Sequence, residues 1–337
     1  MSTARFDIVD TLGRITLTSP PYNFVSAQFN TDLAAAVHDA SSSDIRALLI
    51  QAEGPNFSVG GAADEWPDKS YSWFRTFIAE VTNTYRAIEA LQIPVVAAVR
   101  GKTGGGGLEL ALSADFIVVA DNTVMWCAEV IMGQLPLAGG YQRLASRIGP
   151  SAARRMVMLG EPTPVATIPA VADYIVPDDE LDDTALRLAT RLSQGPTRSY
   201  AAAKSVLKAW SAGGIAAADK LMLDLSIGLF HTEDFQQGLK DPQKPRRTAG
   251  RTGAQRATGH RPRLARHHLQ GPLTTKSPVS APHSANRDTP ANAMCQCFHT
   301  PSSSSMRFSR SSTSGRSPSA IPRSPSGVPQ SSLAWSP

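Results

Sequence analysis

The stretch that most constrains the fold covers residues 94–115 and reads PVVAAVRGKTGGGGLELALSAD. Residues 95–99 are five consecutive apolar residues, three of them valine, a run typical of a strand covered on both faces. Four glycines follow at positions 104–107, and their lack of Cβ atoms lets a ligand approach the main chain closely. Because strong helix formers come next, the stretch predicts a strand, a tight turn and a helix.

The start of this predicted helix is suited to an oxygen atom that gains negative charge. The first N–H groups of a helix have no acceptor within it and lie at the positive end of its dipole. Amides placed in this way stabilise an oxyanion. Glu109 follows Gly106 by three residues and therefore projects from the same face. The pattern predicts a catalytic site, while tight strand–helix packing alone is the alternative explanation of the glycines.

Two other glycine motifs do not fit this stretch. A phosphate-binding loop ending at residues 101–103 requires a glycine where the chain has Val96. A dinucleotide-binding pattern that starts at Gly104 requires a glycine where the chain has Glu109. The sequence therefore gives no reason to expect either kind of phosphate site.

Charge and composition divide the chain near residue 240. Residues 241–337 contain 14 Lys and Arg against 2 Asp and Glu, which leaves 19 and 26 for residues 1–240, a balance of −7. The acidic first part therefore predicts no nucleic-acid surface. The basic part is rich in Arg, Ser and Pro without apolar periodicity, which predicts a disordered low-complexity tail. We interpret this tail as the product of a frameshift. Nucleic-acid binding by this tail is a disfavoured alternative because aromatic residues are few there.

Cysteine usage and hydropathy exclude several protein classes. The three cysteines include the pair at 295 and 297, which lacks a matching second pair, so neither a disulfide framework nor a metal site is expected. The sequence contains no apolar run of 18 residues and no basic segment followed by an apolar one at its start. We therefore expect a cytoplasmic protein without membrane contact.

Periodicity outlines the remaining elements. Residues 6–9 and 14–18 predict a hairpin, residues 45–52 and 116–120 predict buried strands, and Thr31 is predicted to cap a helix over residues 32–40. Further helices are predicted over residues 70–91, 151–159, 182–193 and 197–240. The predicted organisation is an α/β core over residues 1–195, a helical region for oligomerisation over 196–240, and the tail over 241–337.

Three separated segments together resemble the enoyl-CoA hydratase/isomerase superfamily, the crotonases. Residues 99–115 are similar to the family signature V-N-G-x-A-x-G-G-G-x-E-L-A-x-x-x-D, with Arg100 in place of asparagine. FSVGGAAD at 57–64 resembles F-x-A-G-x-D, and GQLPLAGGYQRL at 133–144 resembles G-x-x-P-x-x-G-G-x-x-R-L. The resemblance covers about residues 5–240 and implies a crotonase-like spiral of ββα units followed by helices.

The resemblance also implies a site and a reaction. The family holds a thioester oxygen between two main-chain N–H groups, which fall on Gly61 and Gly106 here, and its hydratases use two glutamates, which fall on Glu109 and Glu129. It implies addition of water to a trans-2-enoyl-CoA, coenzyme A as part of the substrate, no permanently bound cofactor, and homotrimers or hexamers. We expect further substrate contacts from these residues: Val59, Gly60, Asp64 and Trp126.

Departures from the family pattern leave alternatives open. The aspartate of the first loop, Asp64, is displaced by two positions relative to the family. Glu129 could instead be a structural carboxylate paired with Arg143. The same fold could run a double-bond isomerisation or another CoA-thioester reaction. The unusual tail also makes an inactive, truncated crotonase an alternative.

Overall fold

The computed structural model of the chain describes residues 2–240, so the predictions for the tail at residues 241–337 lie outside the described residues. The strands are β1 (Ala4–Val9), β2 (Leu12–Leu17), β3 (Ala47–Ala52), β4 (Val95–Val99), β5 (Lys102–Gly104), β6 (Phe116–Ala120), β7 (Val124–Trp126), β8 (Thr163–Pro164) and β9 (Tyr174–Val176). The helices are α1 (Ala27–Ser42), α2 (Tyr71–Ala90), α3 (Gly105–Leu112), α4 (Gly140–Leu159), α5 (Leu181–Ser193), α6 (Thr197–Phe230) and α7 (Glu233–Lys240). Short 3-10 turns include Ala63–Glu65 and Ala128–Met132.

Six strands form the main sheet in the order β1-β2-β3-β4-β6-β9. The β1–β2 hairpin is antiparallel, and every later pair in this sheet is parallel. A second, three-stranded sheet has the order β5-β7-β8. Since β5 lies between β4 and α3 in the chain, this small sheet determines where the glycine-dense turn begins.

The central strand β4 is buried on both faces, as its apolar run predicts. Val95, Ala97 and Val99 face the core formed with α1 to α4, while Val96 and Ala98 face a second core under α5. All five residues are buried. A strand covered in this way cannot shift its register without exposing apolar side chains, so it is a rigid base for the turn that follows.

Helix α1 begins five residues earlier than its predicted start. The cap is Ser26, whose hydroxyl accepts a hydrogen bond from the Phe29 N–H at 3.1 Å. The predicted cap, Thr31, lies within the helix and donates its hydroxyl proton to the Ala27 carbonyl at 3.0 Å. The predicted start was wrong because Phe29 is fully buried, which extends the apolar stripe of the helix by one turn.

The first half of helix α6 is bonded to the core through Lys204. Lys204 donates hydrogen bonds to the Asp115 carboxylate at 2.7 Å and to the Ile93 carbonyl at 3.0 Å. The helix is kinked at Gly213 and Gly214. Beyond the kink, the exposed large apolar side chains include Ile215, Met222, Leu223, Ile227 and Phe230. Within residues 2–240, no helix is long and apolar enough to cross a membrane.

Candidate active site

The glycine-dense turn packs directly on the FSVGG loop. The Gly104 N–H donates to the Ser58 carbonyl at 3.0 Å, and a short parallel bridge joins Ser58 to Thr103. An added Cβ at Gly107 would overlap the Ser58 carbonyl oxygen, and one at Gly60 would lie 2.9 Å from the Gly104 carbonyl oxygen. Glycines are therefore needed where these two segments meet, and the contact brings both predicted oxyanion donors to one place.

The Gly61 N–H is left free by the way its neighbours pair. The Val25 N–H donates to the Gly60 carbonyl at 2.8 Å, and the Ala62 N–H donates to the Val25 carbonyl at 3.3 Å. In this parallel bridge Val25 is hydrogen-bonded to the residues on either side of Gly61 and not to Gly61 itself. Within the described chain, the Gly61 N–H has no acceptor.

The Gly106 N–H is the second amide of α3 and has no acceptor within the helix. The helix begins at Gly105, whose φ of +47° is in the left-handed region that favours glycine. An added Cβ at Gly106 would lie 3.3 Å from Cγ2 of Val25, the residue that also bridges Gly61. Both free amides are thus adjacent to the same valine.

One cavity of about 190 Å³ is lined by the two predicted oxyanion donors and the two predicted catalytic acids: Gly61, Gly106, Glu109 and Glu129. Its polar lining includes Glu109 and Glu129, which are only 3% and 7% exposed. The remaining wall is mostly apolar and includes Val25, Trp66, Phe77, Ile78, Val81, Trp126, Met132 and Leu137. Two buried carboxyl groups beside two free amides form an arrangement that can stabilise a developing oxyanion and transfer protons next to it.

The main chain holds one oxygen of Glu109 firmly. Its Oε1 accepts hydrogen bonds from the Ala138 N–H at 2.7 Å and from the Gly140 N–H at 2.8 Å. Burial raises the pKa of Glu109 to about 7, although these two hydrogen bonds act in the opposite direction. The negative charge of Glu129 raises the pKa of Glu109 further, so ionisation of Glu129 makes ionisation of Glu109 less favourable.

Glu129 is less well satisfied, and it is not paired with Arg143. Its Oε2 is buried and has no hydrogen-bond partner within residues 2–240. Burial raises the pKa of Glu129 as well. Arg143 instead forms a two-pronged ion pair with Glu89, at 2.6 and 2.7 Å. The alternative in which Glu129 is a structural partner of Arg143 is therefore wrong.

The other predicted substrate contacts divide into two groups. Val59, Gly60 and Trp126 line the cavity, and the Trp126 indole lies against Gly104. Asp64 is exposed on the 3-10 turn Ala63–Glu65 and is not part of the cavity wall. The additional residues before the aspartate displace it, and the edge of the Trp66 ring occupies the space beside Gly61.

Several residues that shape the site could not be identified as such from the sequence. Tyr85 is fully buried, and its hydroxyl donates to the Gly106 carbonyl at 2.8 Å. In the sequence it is only one apolar position of a helical stripe. Val25 and Ala138 also belong to the site, yet neither carries a reactive group. The one sequence signal near Ala138 is the glycine pair at 139–140, since paired glycines often mark a close approach of the main chain.

The raised pKa of Glu109 predicts how stability depends on pH. A carboxyl with a pKa near 7 in the fold and 4.5 when unfolded keeps a proton in the folded state that the unfolded chain loses. Stability therefore falls as pH rises from about 4.5 to 7, by on the order of 3 kcal/mol. We expect Glu109→Gln to be more stable than wild type at pH 8 but not at pH 4.5, as measured by urea unfolding.

The control for this measurement is Glu80→Gln, because Glu80 is exposed on α2. It should leave the free energy of unfolding close to the wild-type value at both pH values. An equal stability difference for Glu109→Gln at pH 4.5 and pH 8 would contradict the raised pKa.

Known proteins resemble this chain in sequence. Residues 7–245 match the sequence profile of the enoyl-CoA hydratase/isomerase family. The probable enoyl-CoA hydratase EchA17 of Mycobacterium tuberculosis is 31% identical over 206 residues, which cover 58% of this chain and 76% of that protein. The trans-2-decenoyl-[acyl-carrier-protein] isomerase of Streptococcus mutans is 31% identical over 255 residues, which cover 72% of this chain and 95% of that protein.

Solved structures share the fold. A crystal structure of an enoyl-CoA hydratase from Geobacillus kaustophilus superposes with a TM-score of 0.69 at 24% identity, covering 73% of this chain and 96% of that one. The α/β architecture with its helical C-terminal region is therefore crotonase-like, which confirms the fold implied by the resemblance. With both the sequence profile and the fold in agreement, this chain belongs to the enoyl-CoA hydratase/isomerase family.

Proposed function

We propose that the chain catalyses the reversible addition of water to a trans-2-enoyl-CoA thioester. The observation that carries this proposal is the pair of buried carboxyl groups, Glu109 and Glu129, in the same cavity as two free main-chain amides. Addition of water needs one group that removes a proton and another that delivers one. A single carboxyl group would do both jobs less readily, since one proton leaves the attacking water and the other is added to the α-carbon.

The two amides would bind the thioester carbonyl oxygen. The N–H groups of Gly61 and Gly106 donate to this oxygen while negative charge develops on it as the β-carbon is attacked. Because the donors are main-chain groups held by the Ser58–Thr103 bridge, they need no rearrangement when the charge appears. The apolar wall strengthens the interaction because it excludes water.

The surroundings of the two glutamates suggest different starting roles. Two N–H groups donate to Glu109, which favours its carboxylate form, so it is suited to take a proton from water as the oxygen bonds to the β-carbon. Glu129 has a buried oxygen without a hydrogen-bond partner within residues 2–240, which is tolerated better when the group is neutral, so Glu129 is suited to hold a proton and give it to the α-carbon. The reverse reaction exchanges these roles.

A second candidate is the movement of a double bond in an enoyl thioester. It is favoured by the similarity to the Streptococcus mutans isomerase, which extends over 95% of that protein. One glutamate could carry a proton from the γ-carbon to the α-carbon while the amides hold the same carbonyl oxygen. In both proposals coenzyme A, or another thioester carrier, is part of the substrate rather than a bound cofactor.

We also propose that the exposed apolar side chains after the kink in α6 take part in self-association into trimers or hexamers. Six large side chains are exposed there, including Ile215, Leu223 and Phe230. Burial of such side chains against another subunit would remove apolar surface from water. A cytoplasmic location remains a prediction from the sequence.

An assay of the full chain against a series of enoyl-CoA esters tests the proposed reaction. We expect the absorbance of the conjugated thioester to disappear as a 3-hydroxyacyl-CoA forms from a trans-2 substrate. Conversion of trans-2 to cis-3 esters without incorporation of oxygen from labelled water would support the isomerase instead. No turnover of any ester by a folded chain would favour an inactive family member.

A further inference from the structure

The main-chain segment that binds Glu109 is itself bound by a side chain that does not line the cavity. The N–H groups of Ala138 and Gly140 both donate to Oε1 of Glu109. The carbonyl of Ala138, in the peptide between these two donors, accepts a hydrogen bond from Nη1 of Arg143 at 2.8 Å. The segment that fixes Glu109 is thus bonded both to the carboxylate and to a guanidinium group.

Arg143 is in turn fixed by a residue of another helix. Its Nε and Nη2 donate to the two carboxylate oxygens of Glu89 at 2.6 and 2.7 Å. The side chain of Arg143 is only 14% exposed, so the guanidinium is largely shielded from water. An added Cβ at Gly139 would overlap this guanidinium, which shows how closely the turn is packed on it. A planar fork is needed to reach both partners at once.

We propose that the Arg143–Glu89 ion pair positions Glu109 by holding the main chain that donates hydrogen bonds to it. The pair joins α2 to the start of α4 and, among the described residues, forms no hydrogen bond with the Glu109 carboxylate. Glu89 and Tyr85 are four residues apart on α2, and Tyr85 donates to the Gly106 carbonyl at the other side of the site. Helix α2 therefore bonds directly to the glycine-dense turn and, through Arg143, to the segment that holds Glu109.

Charge as well as geometry links Arg143 to Glu109. Four titratable groups influence or border the carboxyl of Glu109: Tyr85, Cys127, Glu129 and Arg143. Of these, Glu129 raises the pKa of Glu109 and Arg143 lowers it. Tyr85 and Cys127 remain uncharged, because burial raises the pKa of both groups. Loss of Arg143 removes a stabilising charge and loosens two hydrogen bonds, and both changes raise the pKa of Glu109 further.

The experiment measures the Glu109 carboxyl directly by NMR titration of protein labelled with carbon-13 at glutamate side chains, with Glu109→Gln for assignment. In Arg143→Met we expect the pKa of Glu109 to rise by about one unit or more. In Arg143→Lys, which keeps the charge but loses the fork, we expect a smaller rise. The control is Arg154→Met, since Arg154 is exposed on the same helix. In this variant the pKa of Glu109 should equal that in the wild type.

A second measurement separates positioning from charge. In Glu89→Gln we expect amide hydrogen exchange at Ala138 and Gly140 to become about tenfold faster or more, because a charge-assisted hydrogen bond is lost. Where activity is measured, Arg143→Met should lower kcat/KM by about 10²-fold, mostly through kcat and little through KM. The acidic limb of its pH profile should move to higher pH.

The catalytic meaning of this inference rests on the proposed function, but its structural content does not. A wild-type chain that turns over no enoyl-CoA would overturn the proposed reaction and still allow the NMR titration. Folded Arg143→Lys and Arg143→Met proteins with a wild-type Glu109 pKa would overturn the positioning role. If Arg143→Met does not fold, unchanged values in Arg143→Lys and Glu89→Gln decide against it.

Discussion

Replacement of Glu109 by glutamine is expected to lower kcat for the hydration of crotonyl-CoA by about 10²–10⁴-fold. Glutamine has nearly the same shape and can still accept the hydrogen bonds from Ala138 and Gly140, but it cannot take a proton from water. KM should change little, because the two amides that we propose bind the thioester are untouched. A continuous spectrophotometric assay of wild type and variant at pH 8 measures both constants.

The companion variant Glu129→Gln should lower kcat by a similar factor, since the second proton transfer is then missing. The double variant should be little worse than either single one, because the two groups act as a unit. Glu80→Gln is the matched control and should retain full activity, as Glu80 lies outside the cavity. Hydration that survives Glu109→Gln undiminished would show that the two-glutamate mechanism is wrong.

The second large effect is expected at Gly106 in the glycine-dense turn. Gly106→Pro removes the main-chain N–H, and we expect kcat/KM to fall by about 10²–10³-fold relative to Gly106→Ala. Proline is tolerated in the first turn of a helix because the N–H there has no acceptor within the helix. Kinetics of both variants on one enoyl-CoA, with circular dichroism to compare their folding, provide the measurement.

Gly106→Ala serves as the control for bulk. Its new Cβ would lie 3.3 Å from Cγ2 of Val25, so that side chain must move by a few tenths of an ångström, while the N–H remains in place. We expect the alanine variant to lose much less activity than the proline variant. Equal activity of the two variants would mean that the Gly106 N–H does not stabilise the reacting oxygen.

Local sequence patterns predicted most of the elements that carry the site. The apolar run at 95–99 is β4, and the helix predicted over residues 70–91 is α2 with Ser70 as its cap. The start of α1 was wrong because both Ser26 and Thr31 are acceptable caps, and only the burial of Phe29 distinguishes them. A local pattern cannot report which turn of a helix another element will cover.

Contacts between distant parts of the chain were the least predictable. Arg143 and Glu89 are 54 residues apart, and no local rule pairs them. Tyr85 fits a helical apolar stripe, yet its hydroxyl bonds to the Gly106 carbonyl. Asp64 was expected to contact substrate by analogy with the family loop, but two additional residues carry it to the surface. Each outcome depends on how two separate segments pack.

The sequence by itself determined which groups are available: a buried strand, a glycine turn without Cβ atoms, a helix start with free amides, and Glu109 three residues beyond Gly106. These follow from bonding geometry within a few residues. The tertiary structure alone decided that burial raises the pKa of both Glu109 and Glu129, and that the N–H groups of Ala138 and Gly140 hold Glu109. The physical reason is that desolvation and hydrogen bonding depend on what surrounds a carboxyl group in space, and those surroundings come from segments far away in the chain.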